Sequence, residues 1–472
     1  MAGQRILVLG TGPTGLGQGA EYNGAVAAAC RALRALGHTV VLLESHASAL
    51  AAAAEYAHTT YLEPLNRENI EKILMHERPH GVLATVGGRV ALHTMLLMQQ
   101  RQFGAANARC TALGTSFELL EAALHSEHVS RAALALGSRC PQAFMVNKKK
   151  QGEEFGRQLG FPVVVRPVWA AGSLGTAITY NTQELDRAID VALAVSPAGH
   201  IVIEKSLAGQ QRTAWIVARD MRGAARVLGG VEYLEPLGIH SSDSPAVTPV
   251  QSMSDAECLI LHSLAQHLVQ RLQIAGVSTV HLAHGAGARD TTVLSISPHV
   301  TPAALWCGRA NSIPVAAWHT RLNAGGALAE LERAMPSEDL FADQRPAAWV
   351  WCRMPVFPGR RLMGAREHLT TYAKSVGSVT GVGLEFVSAL QRAIRAADLP
   401  PLGPGHATPQ FASTWSEDDL RAELGAPSVL RLWHVYRALQ LGFSTEELQQ
   451  LTHCAPWLIE RLRALNELER RW

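Results

Sequence analysis

Arg5-Ile6-Leu7-Val8-Leu9-Gly10-Thr11-Gly12-Pro13-Thr14-Gly15 reads as a short apolar strand running straight into a glycine turn. Four consecutive apolar residues suit a strand buried on both faces, as in a parallel sheet. An alanine-rich helix follows to Leu36, Gly37 stops it, and Thr39 to Leu43 is a second strand. The unit is βαβ, the start of a Rossmann-like α/β domain. Gly81 to Thr85, ending at Gly87-Gly88, adds a strand to the same open sheet.

Gly10, Gly12 and Gly15 match the spacing of the dinucleotide fingerprint, where a helix N-terminus receives a pyrophosphate. Pro13 interrupts the loop, and Leu43-Glu44 fits the expected ribose-binding acid only in part. A structural turn is therefore the expected role of these glycines, with a dinucleotide site as the alternative.

A second unit begins near Ser116, where a helical stretch leads to the strand Val163-Val164-Val165-Arg166-Pro167. Ala171-Gly172-Ser173-Leu174-Gly175-Thr176 is a small flexible loop. Strands recur at Ile201–Glu204, Trp215–Arg219, Arg226–Tyr233, Thr279–Ala283 and Thr292–Ile296, so this region reads as α+β. Pro400, Pro401, Gly403, Pro404 and Gly405 form a linker, and the remainder is helical, with Ser444-Thr445-Glu446-Glu447 as a capped start. The expected domains are residues 1–115, 116–400 and 401–472.

Composition narrows the function classes. Of 472 residues, 42 are basic and 40 acidic, so the broad positive field of a nucleic-acid binder is missing and no such partner is expected. Lys148, Lys149 and Lys150 read as a solvated loop. The seven cysteines include no CxxC pair and suggest a reducing compartment, and no apolar run reaches a membrane span. A cytoplasmic protein with no membrane partner is expected.

Beyond these local readings, Gly10-Thr11-Gly12-Pro13, Gly17-Gln18 and Glu21-Tyr22 resemble the entry segment of the carbamoyl-phosphate synthetase large subunit. Glu77-Arg78-Pro79 and Thr85-Val86-Gly87-Gly88 are similar to that family's ERPDxVLxTxGGQ, with Arg89 where glutamine is usual. Gly160-Phe161-Pro162 through Arg166-Pro167, Leu237-Gly238-Ile239-His240-Ser241 with Asp243-Ser244, and Lys374-Ser375-Val376-Gly377 resemble GFPxxxRP, xGIHTGDS and KSVGEVM in order. The resemblance is to one half of that subunit, the N-terminal, carboxyphosphate-forming half, with a shortened oligomerisation domain. It implies an ATP-grasp fold behind a Rossmann-like domain.

What the resemblance implies for chemistry is a loss. The family's magnesium-binding glutamine falls at His281, its glutamate at Ser295, its asparagine at Ser297 and the following arginine at His299. Magnesium takes oxygen ligands in near-octahedral order, and two hydroxyls cannot replace a carboxylate bridging two such ions. Strand alternation still directs Ser295 and Ser297 to one face. The family's acids near the ribose fall at Lys205, Arg212 and Ala214, and its first ATP-contacting arginine falls near Ser126 to His128. Arg166, Gly172, Lys205, Gly238, Ile239 and His240 are the expected residual nucleotide or phosphate contacts. Arg212 makes the cleft more basic and suited to holding an anion without turning it over. The histidines 240, 281 and 299 are expected to pack or hydrogen-bond, with a repurposed metal site as the alternative.

The resulting expectation is a pseudoenzyme. It needs no cofactor, retains at most residual ATP binding, has lost or weakened magnesium binding, and acts through a protein partner: a synthetase or glutaminase-like subunit, another enzyme, or itself. Two rivals stand beside it: a carboxyphosphate or carbamoyl-phosphate synthetase, or related ligase, with altered metal ligands; and a nucleotide or small-anion sensor.

Overall fold

The computed structural model describes residues 3–12, 19–100, 111–168, 173–196, 199–285, 290–335, 349–358, 368–402 and 416–471. Gly15, Gly172, Cys110 and the linker glycines and proline at 403–405 lie outside the described residues.

The first five strands are β1 (Arg5–Leu9), β2 (Thr39–Glu44), β3 (Thr59–Leu62), β4 (Gly81–Leu83) and β5 (Thr111–Ala112), in the order β3-β2-β1-β4-β5. All pair in parallel, and Ile6 to Leu9 are fully buried at the centre, as their unbroken apolar run requires. The alanine-rich helix Gly19–Ala35 covers one face through Val26, Cys30 and Leu33. Gly87 must be glycine: a Cβ there would stand 2.7 Å from the carbonyl carbon of Gly10. That close approach brings the turn Gly87-Gly88-Arg89 across the mouth of the first glycine turn.

A four-stranded antiparallel sheet follows, ordered β6-β9-β7-β8, with β6 (Ala143–Val146), β7 (Val163–Pro167), β8 (Ala177–Thr179) and β9 (Ile201–Lys205). Val163, Val165, Ile201 and Ile203 pack one face against the helices Lys149–Leu159 and Thr182–Val195. Lys149 opens the first of these helices and pairs with Asp186 and Asp190, each at 2.7 Å, so part of the lysine run expected in a loop is helical.

The largest sheet is antiparallel and runs β14-β13-β10-β11-β12-β15-β16. Its strands are β10 (Gln211–Arg219), β11 (Ala225–Tyr233), β12 (Ala246–Thr248), β13 (Gly276–His284), β14 (Thr291–Ser297), β15 (Val350–Val356) and β16 (Gly377–Gly383). Alternation sorts its side chains. Ala214, Ile216, Val231 and Tyr233 share a core with the helices Gly19–Ala35, Pro302–Ala310 and Val315–Asn323, while Trp215, Val217, Val280 and Leu282 meet Asp255–Arg271 on the other side.

Helices Glu417–Gly425, Arg431–Gln440, Thr445–Thr452 and Pro456–Arg470 form the C-terminal end, and the expected start at Ser444 is a true N-cap, accepting from Glu447 N–H. Their core is continuous with the sheet through Leu234, Val247, Val350, Cys352 and Met354. Three polar ties add to it: Arg431 to Glu235 at 2.9 Å with both side chains buried, Trp457 Nε1 donating to Glu232, and Gln211 Nε2 donating to the His453 carbonyl. No described helix is long and apolar enough to cross a membrane. The six described cysteines are unpaired.

Candidate functional site

The candidate site is the face of the large sheet that carries Arg212. Register places Ala283, Arg212, Tyr233, Ala246 and Arg353 side by side on successive strands, so their side chains emerge on one face in a single row. The guanidinium of Arg212 lies over the Tyr233 ring at 4.3 Å, a cation–π contact. One step along, Ala214 faces His281, and His281 faces Ser295. Ser297 Oγ lies 3.4 Å from His281 Nε2, so these two expected positions do come together, beside a bulge between His281 and Leu282.

Burial governs the electrostatics. Burial pushes His281 and His299 down to about 3, with Arg212 and Arg89 adding for the first and Arg89 leading the charges on the second. His240 falls to about 4 for the same reason, opposed by Asp243 and reinforced by Arg212, Arg89 and Arg353. Each is therefore a neutral imidazole at neutral pH. His240 is turned on its own loop, its Nδ1 accepting from Ser242 N–H, with Asp243 holding the backbone N–H groups of Lys374 and Ser375.

Arg89 approaches from the first domain. It is exposed by area yet felt by His93, His240, His281 and His299, and its own pKa is lowered by desolvation and then by Arg166. Sequence reasoning noted Arg89 only as a replacement for glutamine. It opens the helix Arg89–Gln100, whereas Arg212 and Arg353 share a row through strand register across β11 and β12, which no local pattern announces.

Several expected contacts are otherwise engaged. Arg166 is paired with Glu204 through two contacts of 3.2 and 3.3 Å. Lys205 sits on the opposite, helix-covered face of β9, where its ammonium donates to the carbonyls of Gly160 and Phe161 at 2.7 and 3.3 Å; strand alternation turns it from the face that Arg166 and Glu204 share. Gly238 has φ +115°, the left-handed range open to glycine, and Ile239 is buried behind it. Ser126 begins a helix whose Glu127 and Arg131 pair with each other.

The described part of the glycine turn, Gly10 to Gly12, is held by its own domain. Glu44 accepts Thr11 N–H on one carboxylate oxygen and Ser45 N–H on the other, at 3.0 and 2.8 Å, so the acid ending the second strand binds its own turn. A Cβ at Gly12 would meet Val90 at 2.8 Å.

The donor set does not suit magnesium. His281, Ser295 and Ser297 offer an imidazole and two hydroxyls, and Arg212 and Arg89 bring positive charge to the same place. Hard divalent cations need anionic oxygen, and a neighbouring guanidinium opposes them.

Comparisons with known proteins agree with this architecture. Residues 2–122 match the carbamoyl phosphate synthase preATP-grasp domain, 126–331 the ATP-binding domain of the carbamoyl-phosphate synthase L chain, and 378–472 the oligomerisation domain of the large chain. The carbamoyl phosphate synthase large chain of Methanothrix thermoacetophila is 30% identical over 469 residues, which is 99% of this chain and 43% of that one. The chain thus spans less than half the length of that relative. The N-terminal section of the large chain from Methanopyrus kandleri is 29% identical, covering 98% of this chain and 82% of that section. Among solved structures, the biotin carboxylase domain of Hydrogenobacter thermophilus 2-oxoglutarate carboxylase superposes with TM-score 0.62 at 14% identity, covering 97% and 99% of the two chains. N5-carboxyaminoimidazole ribonucleotide synthetase of Thermotoga maritima gives 0.55 at 15% identity, over 84% and 98%. These likenesses show the ATP-grasp fold, and with the sequence matches they establish that this chain belongs to the carbamoyl-phosphate synthetase large-subunit family and corresponds to its N-terminal half.

Proposed function

We propose that this chain does not carry out magnesium-dependent phosphoryl transfer, and that it acts as a non-catalytic partner: a scaffold or regulatory subunit for a synthetase, a glutaminase-like subunit, another enzyme, or a second copy of itself. One observation carries the reading. On the strand pair that faces the cleft, His281, Ser295 and Ser297 stand beside the buried cation Arg212, with no carboxylate among them. Phosphoryl transfer needs the developing charge offset by metal ions and positioned cations together. Guanidinium groups alone bind phosphate without bridging its oxygens as a metal does.

The partner role is supported by the match of residues 378–472 to an oligomerisation domain, and by Leu441 and Leu468 standing exposed on that end. Sedimentation of the purified chain at micromolar concentration tests the homomeric form of the idea; a monomer there leaves only a different protein as partner.

The activity test is ADP release from magnesium ATP with bicarbonate and ammonia. The expected result is release at the rate of a protein-free control. Release above that rate, lowered by His281→Ala or Arg166→Ala, would establish instead a ligase with altered metal ligands.

A further inference from the structure

Arg212 poses a problem that neither scaffolding nor fold solves. It is 8% exposed, yet its Nε and Nη2 find no hydrogen-bond acceptor. Arg353, 6% exposed in the same lateral row, donates through Nη2 to the Ser241 carbonyl and leaves Nε without a partner. His299, buried nearby, has an unmatched Nδ1. A buried guanidinium with idle N–H groups costs several kcal/mol unless an anion meets it.

The neighbouring carboxylates are mostly committed. Glu235 holds Arg431, Asp243 holds the backbone at Lys374 and Ser375, and Glu204 holds Arg166. Glu21 remains, its pKa raised by burial and pulled back by Arg353 and then Arg309. Arg89, at the start of the helix Arg89–Gln100 in the first domain, lowers the pKa of the same histidines that feel Arg212. Two cations of one sheet and one from a helix of the first domain act on the same imidazole, that of His240, and the atoms left over on Arg212 and Arg353 are donors.

We propose that Arg212, with Arg353 three strands along the same row and Arg89 from the first domain, forms a metal-free receptor for a phosphate group, either as inorganic phosphate or at the end of a nucleotide. The proposal rests on the reading of this cleft as one that does not transfer phosphate, and adds what it holds. Planar guanidinium groups present paired N–H donors matched to phosphate oxygens. Here fixed side-chain charge stands where a divalent cation would otherwise be required, so binding tolerates chelation of every metal.

The test is calorimetric titration of inorganic phosphate, ADP and ATP into the full chain, each in EDTA and again with magnesium. At least one of the three is expected to bind in EDTA, with magnesium giving no gain. Phosphate alone as a ligand assigns the free anion; binding confined to ADP or ATP assigns a nucleotide. Arg212→Gln is expected to weaken binding by at least about tenfold, the loss of a charge-assisted hydrogen-bonded pair. It is also expected to raise the melting temperature of the unliganded protein, since it removes a buried guanidinium two of whose nitrogens have no acceptor; an arginine kept for its contact with the Tyr233 ring would lower it. Arg89→Gln, outside the large sheet, repeats the affinity test independently of the Arg212–Tyr233 contact. No binding in EDTA, a requirement for magnesium, or full affinity in both variants overturns the proposal. ADP release in the activity assay would instead overturn the non-catalytic reading, whatever the titration gives.

Discussion

Arg431→Ala is expected to destabilise the protein by about 3–5 kcal/mol, the cost of leaving one member of a buried ion pair without the other. Its guanidinium and the Glu235 carboxylate are 3% and 4% exposed and 2.9 Å apart, and the same nitrogen also donates to the Thr452 carbonyl. Removing the arginine strands a carboxyl whose pKa burial already raises, with Arg431 as the leading charge holding it down. Glu235→Ala should cost a similar amount by stranding the cation. Glu235→Leu with Arg431→Met should recover much of the loss, because apolar replacement removes both desolvation penalties. Urea unfolding of the four proteins measures this. Single variants within about 1 kcal/mol of the parent would show that the pair is not the joint between sheet and helices.

Acidification should have a comparable effect, through histidines buried in neutral form. His284 and His319 are held down at about 4 and His299 at about 3, in each case chiefly by burial. Val277 N–H donates to His319 Nδ1 at 2.9 Å, which makes Nε2 the protonated nitrogen and the donor to Thr85 Oγ1 at 2.6 Å. The sign follows: folded values lie below the unfolded 6.5, so the unfolded chain binds protons first and stability falls as pH drops below 6.5 towards 3–4. At pH 5.5 each such histidine costs about 1.4 kcal/mol, so the three together cost about 4 kcal/mol. Urea midpoints at pH 7.5 and 5.5 test it, and His319→Gln should flatten part of the slope. An unchanged midpoint would mean that these imidazoles accept protons in place.

How much of this was legible in the chain depends on scale. β1, its glycine turn and β2 were readable because a buried parallel strand is a continuous apolar run, and the long strands of the large sheet were readable from their apolar centres. Their ends were not: β10 begins at Gln211, four residues before Trp215, because Gln211 and Arg212 are held by pairing with β13, not by their own propensity. β8 and β12 are three residues each, too short to carry a period. β16 is glycine-rich and was not among the expected strands; pairing with β15 along seven residues makes it one.

The site divides the same way. His281, Ser295 and Ser297 were grouped by the resemblance, with strand alternation sending Ser295 and Ser297 to one face, and His281 and Ser297 do meet. Lys205 was assigned by position in a motif, whereas the pleat of β9 sends it to the opposite face. Arg353 was missed altogether, since its relation to Arg212 passes through Tyr233 and Ala246 on two intervening strands.

The joint between β11 and the helical end also bears on how this protein comes apart. A border of ancestry runs at residue 378, inside β16, but the borders of cooperativity lie elsewhere. Cutting there would strip Leu234, Val247 and Val350 of their cover and release Glu232 and Glu235 from Trp457 and Arg431. Sheet and helices should therefore melt as one calorimetric unit, with Trp457 reporting the loss of both at once, and neither piece should survive as a free-standing fragment.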